Sequence, residues 1–303
     1  MWTDKKLTQM EKNLTKIYKK SRSDLGKKWM DYMKESGEKL SPLQKAYDDA
    51  KKSGDKDLMR QTGITLSKAK KEQTIMNDRF KSMIADTTEK IANVNEIALQ
   101  YTNNQMPSIY AKNYNQINTD IKNLGVKFDL VNESTVKKLV KDGDIKLPYK
   151  NLDKIKDARW NTKQLNSSVL QGILQGESMD KIADRIYPIV GRNSSAAIRN
   201  ARTMVTGAEN RGRLDSYHQL EEDGVVMKKV WIATPDDRTR ESHLVMDGQE
   251  VDIDEPFVDG DGNELDYPAD PSGEPETVYN CRCSMKTHII GFKKSDDSIS
   301  EVD

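Results

Sequence analysis

Apolar residues recur along the first hundred positions at steps of three and four, separated by lysine-rich turns. Leu7, Met10, Leu14 and Ile17 begin the stripe, and Trp29, Tyr32 and Met33 extend it, which predicts an amphipathic helix over residues 4–35 with a thin seam. Gly37 and Ser41-Pro42 are expected to stop it, because Ser before Pro suits the N-cap and first position of a new helix. That second helix carries Leu43, Ala46, Tyr47 and Ala50 and ends near Ser53-Gly54. A third pattern runs through Met76, Phe80, Met83, Ile91, Val94, Ala98 and Tyr101. Residues 1–105 therefore read as a helical arm, a hairpin or three helices, whose narrow seams suit contact with a partner.

Met106-Pro107 breaks this pattern, since proline disfavours helix in the residue before it. Residues 106–150 read as a linker subdomain, with turns at Gly125 and Gly143 and a strand over 126–131. Residues 152–175 read as helix again, with Ile155, Trp160, Leu165, Val169 and Ile173 on the buried side. Gly176-Glu177-Ser178 caps a short helix over 179–186, which Pro188 and Gly191 are expected to end. The next helix, 194–222, has a seam of almost only small residues: Ala197, Ala201, Val205, Ala208 and Gly212. Such a seam lets another backbone approach closely. Glu209 and Arg213, four apart, suit an ion pair. Gly224 ends the helix, and residues 225–233 form the clearest strand, interrupted by Lys228-Lys229. The fold class is mainly α, with long N-terminal amphipathic helices, a helical middle and a small, compact, acidic and turn-rich α+β module at the C-terminus. Residues 291–303 read as a flexible tail.

Charge sharpens this division. The 303 residues are formally neutral, with 49 basic and 49 acidic side chains. Residues 1–233 nevertheless carry a net +13, whereas 234–276 hold two basic and 15 acidic residues, a net −13. Such asymmetry suits weak, sequence-independent contact with DNA, although a solvated helical surface accounts for any single lysine cluster. Arg199, Arg202, Arg211 and Arg213 could touch phosphate, but Arg202 and Arg213 are expected to pair with the acidic block. The start, Met1-Trp2-Thr3-Asp4-Lys5-Lys6, has no apolar core of a signal peptide, and no run approaches the length of a membrane span. The two cysteines stand one residue apart, too close for an unstrained mutual disulfide. The expectation is a chain made and folded in a reducing cytoplasm, with no membrane partner.

The stretch 231–288 holds both cysteines, His243 and His288, and five of the nine prolines. Three of its runs, in order, are Asp236-Asp237-Arg238-Thr239-Arg240 continuing through His243 to Gln249, then Asp270-Pro271-Ser272-Gly273 with Pro275, then Asn280-Cys281-Arg282-Cys283. With Ala201-Arg202-Thr203 on the preceding helix, they resemble the phage head morphogenesis family, the Mu F-like minor head proteins of tailed phages. The resemblance is strong over 196–283, thin over 150–195 and architectural before that. It assigns 151–290 to the head morphogenesis domain. It implies a structural virion protein inside the capsid near the portal, with portal, major capsid or scaffold protein as partners and no known catalysis.

His243, Cys281 and Cys283 are the most chemical constellation, because imidazole and thiolate suit a tetrahedral structural zinc. A small acidic module, 231–290, would gain most from such a staple. The resemblance supports it, since family members often carry Cys at the place of His243. The fourth ligand stays open among His288, Asp237 and Glu241; the alternative is two buried cysteines beside a hydrogen-bonded His243. The run 259–266 alternates oxygen ligands like a calcium loop but has Glu264 where glycine is required, so a hairpin turn fits better. No H-E-x-x-H, P-loop or G-x-S-x-G is present, and no catalytic residue is assigned. The rival readings are a zinc-stapled, non-specific DNA-binding protein and a metal-dependent hydrolase or nuclease.

Overall fold

The computed structural model describes residues 2–74, 77–293 and 299–301. It is mainly helical with a small C-terminal antiparallel sheet module, in agreement with the expected fold class. The elements in order are α1 (Trp2–Ser53), α2 (Lys56–Thr74), α3 (Asp78–Asn103), α4 (Met106–Tyr114), α5 (Ile117–Asp120), α6 (Glu133–Asp142), α7 (Lys154–Leu174), α8 (Met179–Asp184) and α9 (Ile186–Glu222). Then come β1 (Val225–Ile232), α10 (Glu241–Val245), β2 (Glu250–Asp252), β3 (Phe257–Val258), β4 (Glu264–Leu265), α11 (Pro275–Val278), β5 (Ser284–Lys293) and β6 (Ile299–Glu301). Among the described residues, no helix is long and apolar enough to cross a membrane. The chain forms two compact units, both discontinuous in sequence. One comprises Met1–Glu11, Leu99–Lys150 and Ile198–Asp303; the other comprises Lys12–Ala98 and Asn151–Ala197.

In the second, all-helical unit, α1 runs unbroken through Gly37 and Pro42, where a break was expected. Its buried face explains the difference. Trp29, Tyr32, Met33, Ser36 and Leu40 are all buried, so the packing stripe continues across the glycine, and tertiary contact outweighs local preference. Trp29 meets Phe80 edge-to-face at 6.1 Å, and its indole N–H donates to Thr87 at 2.9 Å. The helix α2 has no counterpart in the expected pattern, since among the described residues Leu66 alone is deeply buried in it. Met76, expected to open the next helix, lies outside the described residues.

The expected buried face of α7 is only half right. Leu165, Val169 and Ile173 are buried, but Ile155 is 74% and Trp160 39% exposed. A chain of amides, with Asn161 and Asn193 buried and Asn95 half-buried, sets the rotation instead. Tyr18 donates to Asn95 Oδ1 at 2.7 Å, Asn95 to Asn193 Oδ1 at 2.8 Å and to Asp157 at 2.9 Å, and Asn193 to Asn161 Oδ1 at 2.9 Å. Asn161 is fully buried and aligns with Leu165 and Val169 at steps of four. Ser178 caps α8 as expected, but Pro188 and Gly191 lie inside α9 rather than ending a helix. Pro188 falls in the first turn, where its missing N–H would have had no helical partner.

The sheet-bearing unit is built on the second half of α9. Its order is β2-β1-β5-β6, all antiparallel, with β3 and β4 forming a separate hairpin. Residues 291–293 and 299–301, in the segment read as a tail, pair as the ends of β5 and β6. No strand forms over 126–131; Asn115 brackets the Val131 backbone with its side-chain amide at 2.7 and 2.9 Å. The Lys-Lys interruption of β1 follows the strand alternation. Lys228 points out to Asp252 at 3.4 Å, while Lys229 is 1% exposed, donates to the Asp266 carbonyl at 2.9 Å and lies over the Phe257 ring. Burial pushes its pKa down, and Asp266, Asp254 and Asp270 pull it back up. Part of the acidic block thus compensates a buried cation.

The small seam of α9 does what its size allows. Ala201 and Ala208 are fully buried, and the backbones of two partners lie against the glycines. A Cβ on Gly212 would stand 2.6 Å from the Tyr110 carbonyl oxygen in α4, and one on Gly207 2.9 Å from the Ala269 carbonyl oxygen. Neither backbone can give way cheaply. Gly191, in the same helix, has nothing within 4 Å of its added Cβ. Gly212→Ala is therefore expected to destabilise by about 1–3 kcal/mol, through overpacking. Gly191→Ala should stabilise by up to about 1 kcal/mol, through helix propensity. Urea titrations followed by circular dichroism check the opposite signs.

Candidate metal centre

The site is assembled from two loops placed on α9. After β1 the chain turns at Asp236, whose carboxylate accepts from the Arg238 N–H at 3.0 Å, and Thr239 Oγ1 donates to the Thr234 carbonyl at 2.6 Å. The turn delivers α10 with His243 on its inner side. The second loop crosses Asn280 in the left-handed region, φ 58°, which reverses the chain so that both cysteines point inward. Three polar residues on one face of α9 receive it. Thr203 Oγ1 accepts from the Asn280 N–H at 3.0 Å, Thr206 donates to the Cys281 carbonyl at 3.0 Å, and Asn210 donates to the Cys283 carbonyl at 3.4 Å. Their spacing of three and four marks one polar face of α9, turned away from the small-residue seam at about 100° per residue, and sequence reasoning left it unread.

The two loops are clamped together by charge. The Arg282 guanidinium grips both oxygens of Asp236, Thr234 Oγ1 donates to the Arg282 carbonyl at 2.7 Å, and Arg240 donates to the Tyr279 carbonyl. The guanidinium holds the Asp236 carboxyl well below the usual carboxylate range. Behind this clamp His243, Cys281 and Cys283 converge, at 1%, 2% and 3% exposure. His243 Nδ1 lies 3.8 Å from Cys281 Sγ and 3.6 Å from Cys283 Sγ, and its buried Nε2 has no hydrogen-bond partner. The hydrogen bond from Cys281 and the adjacent imidazole hold Cys283 toward its thiolate; that same bond and burial hold Cys281 as the thiol.

This donor set fits a metal. Zinc bonds of about 2.3 Å to sulfur and 2.0–2.1 Å to nitrogen place tetrahedral S and N ligands about 3.5 Å apart, close to both separations here. The three donor atoms lie within 4.8 Å of one another. No fourth protein ligand joins them among the described residues. His288 does not: it is exposed on β5, with Nδ1 3.1 Å from the Glu250 carboxylate, because strand alternation turns it to the outer face. Asp237 and Glu241 do not join the group either. His218, Glu221 and Asp254 make a second, exposed grouping, with His218 3.6 Å from Asp254. The run 259–266 forms the β3–β4 hairpin, and Asp259 accepts from the Asp261 and Asn263 N–H groups of its own turn, both at 2.9 Å.

Three arginines of α9 are held in ion pairs. Arg202 pairs with Glu11 at 2.6 Å and Arg211 with Asp215 at 2.8 Å. Arg213 pairs with Glu209 at 2.7 Å, the expected i to i+4 bridge, and also donates to the Met285 carbonyl at 2.8 Å. These partners of Arg202 and Arg213 lie on α1, α9 and β5, outside the acidic block.

Residues 163–286 match the family described as Phage Mu protein F like protein. This stretch of the chain is Mu F-like. The match contains the whole cluster of this Mu F-like protein, His243, Cys281 and Cys283, and stops short of His288. Over 294 residues it is 25% identical to the minor head protein GP7 of Bacillus phage SPP1, covering 96% of this chain and 85% of that one. Over 172 residues it is 30% identical to the NAD(+)--arginine ADP-ribosyltransferase EFV of Enterococcus faecalis, covering 56% of this chain. That alignment spans only 34% of the transferase. No solved structure matches.

The Asp236–Arg282 clamp has a pH signature. A carboxylate whose pKa is depressed on folding contributes stability that is present above about pH 3.9 and lost as pH falls toward its folded value. Asp236→Asn should therefore lower the melting temperature at pH 7, and the deficit should shrink below about pH 4. Melting curves of both proteins across that range decide it; a deficit constant with pH would contradict the clamp.

Proposed function

We propose that this Mu F-like protein is a minor head protein that acts in procapsid assembly, contacts the portal and the coat or scaffold, and stays in the virion near packaged DNA. The observation that carries this is the alignment with the SPP1 minor head protein, which runs nearly end to end in both chains. The helical arm supports it, since its lysine-rich helices offer long faces to a larger assembly. A second reading rests on the shorter match to the transferase, and would have the chain move ADP-ribose from NAD(+) to arginine. Mass spectrometry should find the chain in purified virions and procapsids, and labelled NAD(+) should leave no label on arginine substrates. Absence from heads would sink the first reading; transfer would establish the second.

A zinc ion is the proposed occupant of the cluster, held by His243, Cys281 and Cys283. Its task there is structural: its binding energy counts toward folding and offsets the entropy of closing a loop of about forty residues through self-repelling acidic sequence. The purified protein should carry about one zinc per chain. Cys283→Ser should lose it and lower the melting temperature of the sheet-bearing unit, whereas His288→Ala should keep it. Metal-free protein that melts identically with and without chelator would leave the cysteines as packing residues.

A further inference from the structure

The unbroken course of α1 has a consequence that a helix broken at Gly37–Pro42 would not have. At about 100° per residue, Lys12, Lys16, Lys27, Lys34, Lys45 and Lys52 fall within a sector of about 60°. All six are exposed, and all belong to the helical unit. The same sector of residues 12–52 holds one acid, Asp48, and one apolar side chain, the half-buried Met30. Among the described residues, none of the six lysines is held in an ion pair. They form a stripe about 60 Å long, at a helical rise of about 1.5 Å per residue.

We propose that this lysine stripe is a docking track for the phosphate backbone of double-stranded DNA. Three observations choose the duplex. The stripe is regular and cationic, as a polyanion of fixed charge spacing requires. It carries no aromatic side chain, which single-strand binding uses to stack bases. The apolar face of α1 beside the stripe, with Leu14, Tyr18, Leu25, Trp29 and Leu40, is buried within the protein, so it is not offered to a bilayer as that of an interfacial helix is. Contact is thus purely electrostatic, independent of sequence and released by salt. The inference rests on the proposed place of the chain beside packaged DNA.

The full-length protein is titrated with random-sequence duplex DNA by fluorescence anisotropy from about 50 to 200 mM salt. One variant carries Lys12→Gln, Lys16→Gln, Lys27→Gln and Lys34→Gln; a control carries Lys122→Gln, Lys127→Gln, Lys138→Gln and Lys141→Gln. The four control lysines are also exposed, and the change in net charge is the same. The stripe variant should lose about 3–4 from the slope of log K against log salt and bind on the order of tenfold or more weakly. The control should keep its slope to within about 1. Arginine at the four stripe positions should retain binding, which separates charge loss from misfolding. Equal losses in both variants, no loss in the stripe variant, no binding by the wild type, or preference for anionic vesicles over DNA would overturn the track. Incorporation into heads is measured in parallel. If the stripe variant enters heads but binds DNA like the wild type, the track is wrong and the minor head reading stands. If the wild type is absent from heads, that reading fails, whatever the binding result.

Discussion

The sheet-bearing unit depends on how closely backbone can approach the second half of α9. Where Gly212 and Gly207 lie, the carbonyls of Tyr110 and Ala269 come to distances that leave no room for even a methyl group. Close packing of this kind gains dispersion contacts along the whole length of the contact, and it forbids larger side chains. The Cys281–Cys283 loop crosses the same half of the helix. Thr203, Thr206 and Asn210 bond to that loop from the side of α9 where Gly207 admits the Ala269 backbone.

With the loop so placed, polar chemistry follows from burial. Backbone groups entering the interior must find partners, and α9 supplies hydroxyls and an amide. The thiols come in beneath the Asp236–Arg282 clamp and meet His243 from a different segment. Their convergence is a buried three-donor arrangement, close to tetrahedral spacing, with the imidazole Nε2 left without a hydrogen-bond partner. The acidic stretch around it is less a charged surface than its composition suggests. Asp236, Asp259 and Asp270 spend their carboxylates on turns or arginine, and Asp254, Asp266 and Asp270 surround the buried Lys229.

The helical unit is held differently. Its aromatic cluster of Trp29, Tyr32 and Phe80 supplies bulk, while the amide chain from Tyr18 through Asn95 and Asn193 to Asn161 fixes rotation. An apolar seam alone tolerates a helix turned by one position; a chain of buried amides does not, because each turned residue would leave a donor or acceptor unpaired. This is why α7 buries Asn161 and exposes Trp160.

Several features were legible in the residues alone, because each is local. The alternation of β1, the small seam of α9, the Glu209–Arg213 pair, the Ser178 cap and the hairpin at 259–266 need only neighbours in sequence. The pairing of His243 with Cys281 and Cys283 was also legible, since few other side chains have that chemistry. What sequence misjudged was long-range. Gly37 and Pro42 read as a break, yet a continuous buried stripe carries α1 through both. Ile155 and Trp160 read as core, yet partners 30 to 140 residues away in the chain turned the helix. His288 read as a ligand by nearness to Cys283, yet the alternation of β5 sends it outward to Glu250. Arg282, inside the cysteine motif, gave no hint of its carboxylate until the fold brought Asp236 beside it. Local preference names the pieces; which face each turns inward is decided by contacts that exist only once the chain has closed on itself.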